Sequence, residues 1–195
     1  MSGGRLNLPD GLALFRMVMT VPIMALVRAD EEQIPAHFVI AAVLFAVTSA
    51  TDYLDGYLAR RSTGGEGTVL GAFLDTTADK ILVTGVLLAL VSVGHVSVWP
   101  AAVIVFREFT VMALRGVVAQ GGGLIKPSTW GKAKAVSQYL AIFLAFLRLP
   151  GRWGPWYLDQ YVMAIAVIAT IGSMWGYMKS FWSVIRSETL TTRRS

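Results

Sequence analysis

Apolar residues run along this chain in six blocks, residues 11–27, 34–58, 70–93, 96–118, 133–147 and 156–185, parted by connectors rich in Gly, Pro or charge. A bilayer-crossing helix needs about 20 predominantly apolar residues, so the pattern predicts six transmembrane helices joined by short loops. The first block follows Arg5, contains Arg16 and Pro22, lacks a small-residue cleavage site and is followed by further apolar segments. It reads as a retained helix rather than a signal peptide.

The connectors alternate in charge. Residues 29–33 carry Asp30, Glu31 and Glu32, the next connector carries Arg60 and Arg61, and residues 119–134 carry Lys126, Lys132 and Lys134. The positive-inside rule then expects a multi-pass protein of the cell (inner or plasma) membrane with both termini in the cytoplasm. Lys179, Arg186, Arg193 and Arg194 agree with that orientation, whereas Arg148 and Arg152 fall on the outer side against it.

Composition strengthens this picture. Of 195 residues 55% are hydrophobic and 15% charged, against roughly 25% charged in soluble domains. The expectation is an all-α, polytopic integral membrane protein forming one domain over residues 1–195, with no separate soluble catalytic domain. The net charge of +5 comes from basic residues at the ends of apolar runs rather than from one soluble stripe. Nucleic acid is therefore not an expected partner; the lipid bilayer and phosphate groups are. Cysteine is absent, which excludes thiolate ligands and disulfides and leaves metal chemistry to carboxylates or to His37 and His95. Both histidines fall in connectors on the side away from the acids discussed next, and they are not expected to bind metal.

The most informative stretch runs from Asp52 through Asp55, Gly56, Ala59 and Arg60 to Gly71, Asp75 and Asp79. Asp52, Asp55 and Ala59 are three and four residues apart and share one helical face; Gly71, Asp75 and Asp79, each four apart, share a face of the next helix. A connector that returns the chain antiparallel puts all four carboxylates at one depth. An ionised side chain at the bilayer centre costs roughly 2.5–3.5 kcal/mol, so these acids should face the bundle interior or a wet cavity. Crowded carboxylates repel unless cations hold them ionised, and two divalent ions, Mg²⁺ or Mn²⁺, would match their charge. Interhelical ion pairing is the plain alternative. At Gly56 and Gly71 the missing side chains would admit a neighbouring helix or a bulky phosphate ligand, with Ala59 extending the groove.

Further along, Arg107 and Glu108 interrupt an apolar run, and Arg115 lies two turns beyond Arg107 on a similar face. With Lys132 and Lys134 they would suit a phosphate-bearing substrate, Arg as a fork-shaped clamp and Lys as a point charge. Arg16 could close the same pocket or anchor topology.

These residues resemble a family signature. Asp52-Tyr-Leu-Asp55-Gly56-Tyr-Leu-Ala59-Arg60, followed by Gly71-Ala-Phe-Leu-Asp75-Thr-Thr-Ala-Asp79, is similar to the motif of the CDP-alcohol phosphatidyltransferases. Flanking matches, Asn7-Leu-Pro9 with Arg16, Arg107-Glu108 with Leu114-Arg115, and Gly131-Lys132-Ala-Lys134, resemble the bacterial branch that uses sn-glycerol 3-phosphate. The resemblance implies a six-helix membrane enzyme, usually a homodimer, that moves the phosphatidyl group of CDP-diacylglycerol to that alcohol and releases CMP. It implies Asp52, Asp55, Asp75 and Asp79 as ligands of two divalent cations, Asp79 also as general base, and Asp52, Gly56, Ala59, Arg60 and Gly71 at the CDP site. The expected acceptor-phosphate residues are Arg107, Arg115, Lys132, Lys134 and Arg16. Competing readings are the same chemistry on phosphatidylglycerol (a cardiolipin synthase) or on inositol phosphate, and, from another class, a cation transporter using the carboxylates.

Overall fold

The computed structural model describes residues 8–61, 69–120 and 129–192; within these, side chains are described outside 8–9, 52–61, 69–70, 72, 120, 129–132, 179–180 and 183–192. Six helices carry the described chain: α1 (Leu8–Val27), α2 (His37–Arg61), α3 (Val69–Ser92), α4 (Val98–Gln120), α5 (Thr129–Leu147) and α6 (Leu158–Thr192). Each apolar block of the sequence is one helix. The chain groups into two compact units, one comprising α1, α2, α3 and the last turn of α5, the other α4, the rest of α5 and α6.

In the first unit α1 packs on both α2 and α3. The buried positions of α1 are Asp10, Ala13, Arg16, Thr20, Ile23 and Val27, a stripe at three- and four-residue spacing. α3 answers with Ala78, Leu82, Val86 and Leu90, and α2 with Ala41, Ala42, Phe45 and Thr48. A Cβ at Gly85 would stand 2.7 Å from Thr20 Cγ2 and 3.0 Å from Met24 Sδ, so glycine is what lets α1 and α3 approach this closely.

The block expected from residue 34 begins its helix at His37. Ala36 holds a φ of 57°, and its N–H donates to Glu31 Oε1 at 2.9 Å, so Pro35 and Ala36 belong to the connector. At the same end His37 Nδ1 donates to Leu26 O (2.7 Å), and His95 Nδ1 donates to Ala145 O (2.8 Å). Phe38 lies between them, its ring centroid 4.2 Å from that of His37 and 4.4 Å from that of His95. Both histidines thus bond backbone carbonyls, and α3 runs about 25 Å from Asp75 to its end at Ser92, three residues before His95.

In the second unit α4 packs on α6. The buried face of α6 reads Asp159, Met163, Ala166, Thr170, Ser173 and Tyr177, alternating four and three residues apart. Ahead of α6 is an element the sequence pattern did not predict, a hairpin of β1 (Arg152–Trp153) and β2 (Trp156–Tyr157). Gly154, at φ 77°, supplies the left-handed residue its tight turn requires. Gln160 Oε1 then accepts the N–H of Tyr157 at 3.1 Å, satisfying an orphan donor where α6 begins.

The two basic residues that broke the charge rule have local uses. Arg148 Nη1 donates to Gly94 O at 3.0 Å, and Arg152 lies over the Tyr157 ring at 5.4 Å.

The apolar interior also takes in charged groups, and much of the surface is apolar. Arg16, Arg107, Glu108, Lys134, Gln138 and Asp159 are inside, whereas Val18, Val21, Val43, Phe106, Ile168 and Trp175 are exposed. Apolar surface on this scale needs a cover, and lipid supplies one. By length and composition α1 (Asp10–Val27) and α6 (Leu158–Met178) are able to cross a membrane, with shorter apolar stretches at His37–Thr51 and Ala133–Leu147. α3 and α4 are interrupted by Asp75, Asp79 and Lys80, and by Arg107, Glu108 and Arg115 respectively. Those interruptions are where the candidate chemistry lies.

Candidate active site

The acidic motif spans the end of α2 and the start of α3. Asp52, Asp55, Gly56, Ala59 and Arg60 belong to the C-terminal turns of α2, where the backbone is helical, so the three- and four-residue spacing does place Asp52, Asp55 and Ala59 on one face. Their side chains lie outside the described residues. Gly71 falls in the first turn of α3 and is half-buried, Asp75 is exposed one turn on, and Asp79, another turn on, is half-buried. Among the described residues no group of three or more potential metal ligands is present. Asp75 and Asp79 provide two carboxylates one turn apart, a hard oxygen donor set of the kind that Mg²⁺ and Mn²⁺ favour.

Arg16 reaches this end from α1. Its Nη1 lies 3.4 Å from Asp75 Oδ1, with the arginine side chain 1% exposed and the carboxylate 57% exposed. Thr20 Oγ1 donates to the Arg16 carbonyl at 3.0 Å, fixing the backbone from which the arginine extends. The cation is committed to the interior while the anion keeps one side open.

The basic residues assemble in the second unit. On α4 the buried positions Ala101, Ile104, Val111 and Val118 define a stripe, and Arg107 and Glu108 fall in its middle. Glu108 Oε1 accepts from Arg107 Nη1 at 3.3 Å and also from Lys134 Nζ of α5. One carboxylate thus holds two buried cations, which explains how they tolerate burial. Arg115, two turns beyond Arg107, donates through Nη2 to the Tyr177 hydroxyl of α6. The structure therefore brings Arg107, Arg115 and Lys134 into one connected network with Glu108 and Tyr177; the Lys132 side chain lies outside the described residues, and Arg16 sits with Asp75 instead.

Two members of this region escaped sequence reasoning. Tyr177 gave no signal, being an aromatic in an apolar run. Gln138 did give one: it follows Lys134 by one turn on α5 and shares its face. It is buried, and among the described residues its Nε2 has no hydrogen-bond partner.

Carboxylates that suit divalent cations and a basic network that suits an anion are compatible with phosphate-ester chemistry. Residues 6–172 match the family model described as CDP-alcohol phosphatidyltransferase. The chain belongs to that family, whose members are membrane enzymes. It is 32% identical to the CDP-diacylglycerol–glycerol-3-phosphate 3-phosphatidyltransferase of Bacillus subtilis (strain 168), over 93% of this chain and 98% of the relative. It is 36% identical to the protein of the same name from Pseudomonas fluorescens, over 94% of each chain. With that of Escherichia coli (strain K12) the identity is 34%, over 94% of this chain and 97% of the relative.

Proposed function

We propose that this protein transfers the phosphatidyl group of CDP-diacylglycerol to sn-glycerol 3-phosphate, giving phosphatidylglycerophosphate and CMP. The observation that carries this reading is the likeness, along nearly the whole chain, to three transferases named for that reaction. A transporter is not favoured by such relatives, and among the described residues no feature favours phosphatidylglycerol or inositol phosphate over glycerol 3-phosphate as acceptor.

Asp52, Asp55, Asp75 and Asp79 would hold two divalent cations, which when bound neutralise the pyrophosphate of the donor. The described pair, one turn apart with Asp75 open to solvent, fits that task. Asp52, Gly56, Ala59, Arg60 and Gly71 line the CDP site, the small residues leaving room for the nucleotide. Asp79 takes the proton of the acceptor hydroxyl as its oxygen bonds to the lipid-side phosphorus. The bond from that phosphorus to the bridging oxygen breaks, and CMP leaves with the electron pair.

Arg107, Arg115, Lys132 and Lys134 bind the acceptor's phosphate. Arg107, Arg115 and Lys134 outnumber the carboxylate of Glu108, so their network keeps a positive surplus suited to a phosphate dianion. Arg16 is assigned with them by resemblance; its ion pair with Asp75 supports a role in orienting that carboxylate. The protein acts as a single, six-span membrane domain and a homodimer, with its site and both termini on the cytoplasmic side, a topology supported by the alternating charge of the connectors.

The test is CMP release by purified protein from CDP-diacylglycerol with Mg²⁺ or Mn²⁺, offering glycerol 3-phosphate, inositol phosphate and phosphatidylglycerol separately. Release with glycerol 3-phosphate alone is expected. Release only with another acceptor moves the substrate within the family, and no metal-dependent release with any of them overturns the assignment.

A further inference from the structure

Arg107 and Arg115 start two turns apart on α4, about 12 Å along its axis, yet both guanidinium groups converge on one aromatic ring. Arg107 Cζ lies 5.3 Å from the centroid of Tyr177 and Arg115 Cζ lies 5.0 Å from it. The ring is buried, 5% exposed, and its hydroxyl accepts from Arg115 Nη2. It closes the α6 stripe of Asp159, Met163, Ala166, Thr170, Ser173 and Tyr177, so packing against α4 sets its orientation.

Two guanidinium groups drawn together repel, and free arginine side chains would splay apart. An aromatic ring opposes that: its negative faces attract each cation by about 0.5–2 kcal/mol. A phenol adds an oxygen acceptor at the ring edge, and with only two side-chain torsions it loses little entropy when fixed. Arg107 is itself buried, held on one side by Glu108, and among the described residues its Nε–H has no partner. A guanidinium N–H left unsatisfied in the interior is a donor available to an anion.

We infer that Tyr177 is a positioning residue for the transfer reaction: its ring and hydroxyl hold Arg107 and Arg115 in one convergent arrangement that captures the acceptor's phosphate. This rests on the reading of the two arginines as acceptor-phosphate ligands. Tyr177 acts through them, so it governs how well the acceptor binds and leaves the CDP-diacylglycerol site alone.

The test is steady-state kinetics of the purified full-length enzyme, varying each substrate, for Tyr177→Leu, Tyr177→Phe, Arg107→Lys, Arg115→Ala and the double variant Tyr177→Phe/Arg115→Ala. Inhibition by inorganic phosphate against glycerol 3-phosphate gives a second readout of the anion site. Tyr177→Leu is expected to raise the acceptor KM about tenfold and to weaken phosphate inhibition in parallel, with the CDP-diacylglycerol KM unchanged. Tyr177→Phe keeps the ring and is expected to raise the acceptor KM only about threefold. In the Arg115→Ala background the same change should add nothing, because the hydroxyl works through Arg115.

An acceptor KM unmoved in Tyr177→Leu, while the arginine variants raise it, overturns the positioning role and leaves the arginine reading intact. Arginine variants that leave the acceptor KM unchanged overturn that reading itself, and the role of Tyr177 with it. Should Tyr177→Leu fail to fold, the double-variant cycle decides: a full additive effect of Tyr177→Phe without Arg115 refutes the proposal.

Discussion

The two units treat their charges in opposite ways. In the first, the cation is buried and the anion is open: Arg16 is 1% exposed and Asp75 57%. In the second, a carboxylate and the two cations it holds are buried together, with the Arg107, Glu108 and Lys134 side chains 8%, 6% and 7% exposed. An open carboxylate at the head of a helix can still gain a ligand of opposite charge. A buried network has already lost its water, so it must be satisfied internally and offers only what it has in surplus, here positive charge and an Arg107 Nε–H that has no partner among the described residues. The first arrangement suits recruitment of metal ions. The second suits a rigid anion receptor.

The largest effect expected from breaking this contrast is at Asp79. Asp79→Asn keeps size and removes the proposed base, so CMP release should fall by roughly 10²–10⁴-fold. CDP-diacylglycerol binding, measured by equilibrium binding to the purified protein, should persist. Near-normal turnover would remove Asp79 from the chemistry.

Glu108 tests the buried side of the comparison. Glu108→Ala leaves Arg107 and Lys134 in the interior without their shared carboxylate, a change that typically costs about 3–5 kcal/mol. Thermal unfolding in detergent should show a large drop in midpoint. Asp75→Asn, which alters a solvent-facing group and keeps an oxygen toward Arg16, should shift it far less. Equal shifts would erase the distinction between the units.

Arg115 is exposed where Arg107 is buried, so it can be removed with little loss of stability. Arg115→Ala should raise the KM for glycerol 3-phosphate about tenfold or more, as expected for a lost charged hydrogen bond, and leave that for CDP-diacylglycerol unchanged. Equal effects on both substrates would place Arg115 outside the acceptor site.

How much of this was legible in sequence follows from what each residue responds to. Helices declare themselves by length and apolarity, which is why every apolar block became one. The acids were legible because charge in an apolar run has few purposes and their spacing is helical. The network around Glu108 was half legible: Arg107-Glu108 is adjacent in the chain, whereas the Lys134 contact crosses from α5 and the Tyr177 contact from α6. Helices apolar on nearly all sides carry no periodicity that marks which face is inside, so nothing distinguished buried Thr170 and Ser173 from exposed neighbours. The hairpin was missed because Trp156 and Tyr157 merge with the apolar run that follows; Gly154-Pro155 was the available turn signal.

The smallest expected effect concerns packing beneath the open carboxylate. Gly85 touches Thr20, and Thr20 bonds back to the carbonyl of Arg16, so the contact between α1 and α3 supports the arginine that meets Asp75. Gly85→Ala would put a Cβ 2.7 Å from Thr20 Cγ2, and the buried, β-branched threonine cannot turn away without giving up its hydrogen bond. Overpacking of this kind costs about 1–3 kcal/mol, reduced by the roughly 1 kcal/mol that alanine gains over glycine in a helix. The net result should be a small fall in the unfolding midpoint. Gly85→Ala combined with Thr20→Ser, which removes the clashing methyl and keeps the hydroxyl, should restore it. A midpoint that rises in Gly85→Ala alone would mean that α1 and α3 have slack at this contact, and that Arg16 owes its position to its own charge pairing rather than to the helix packing beneath it.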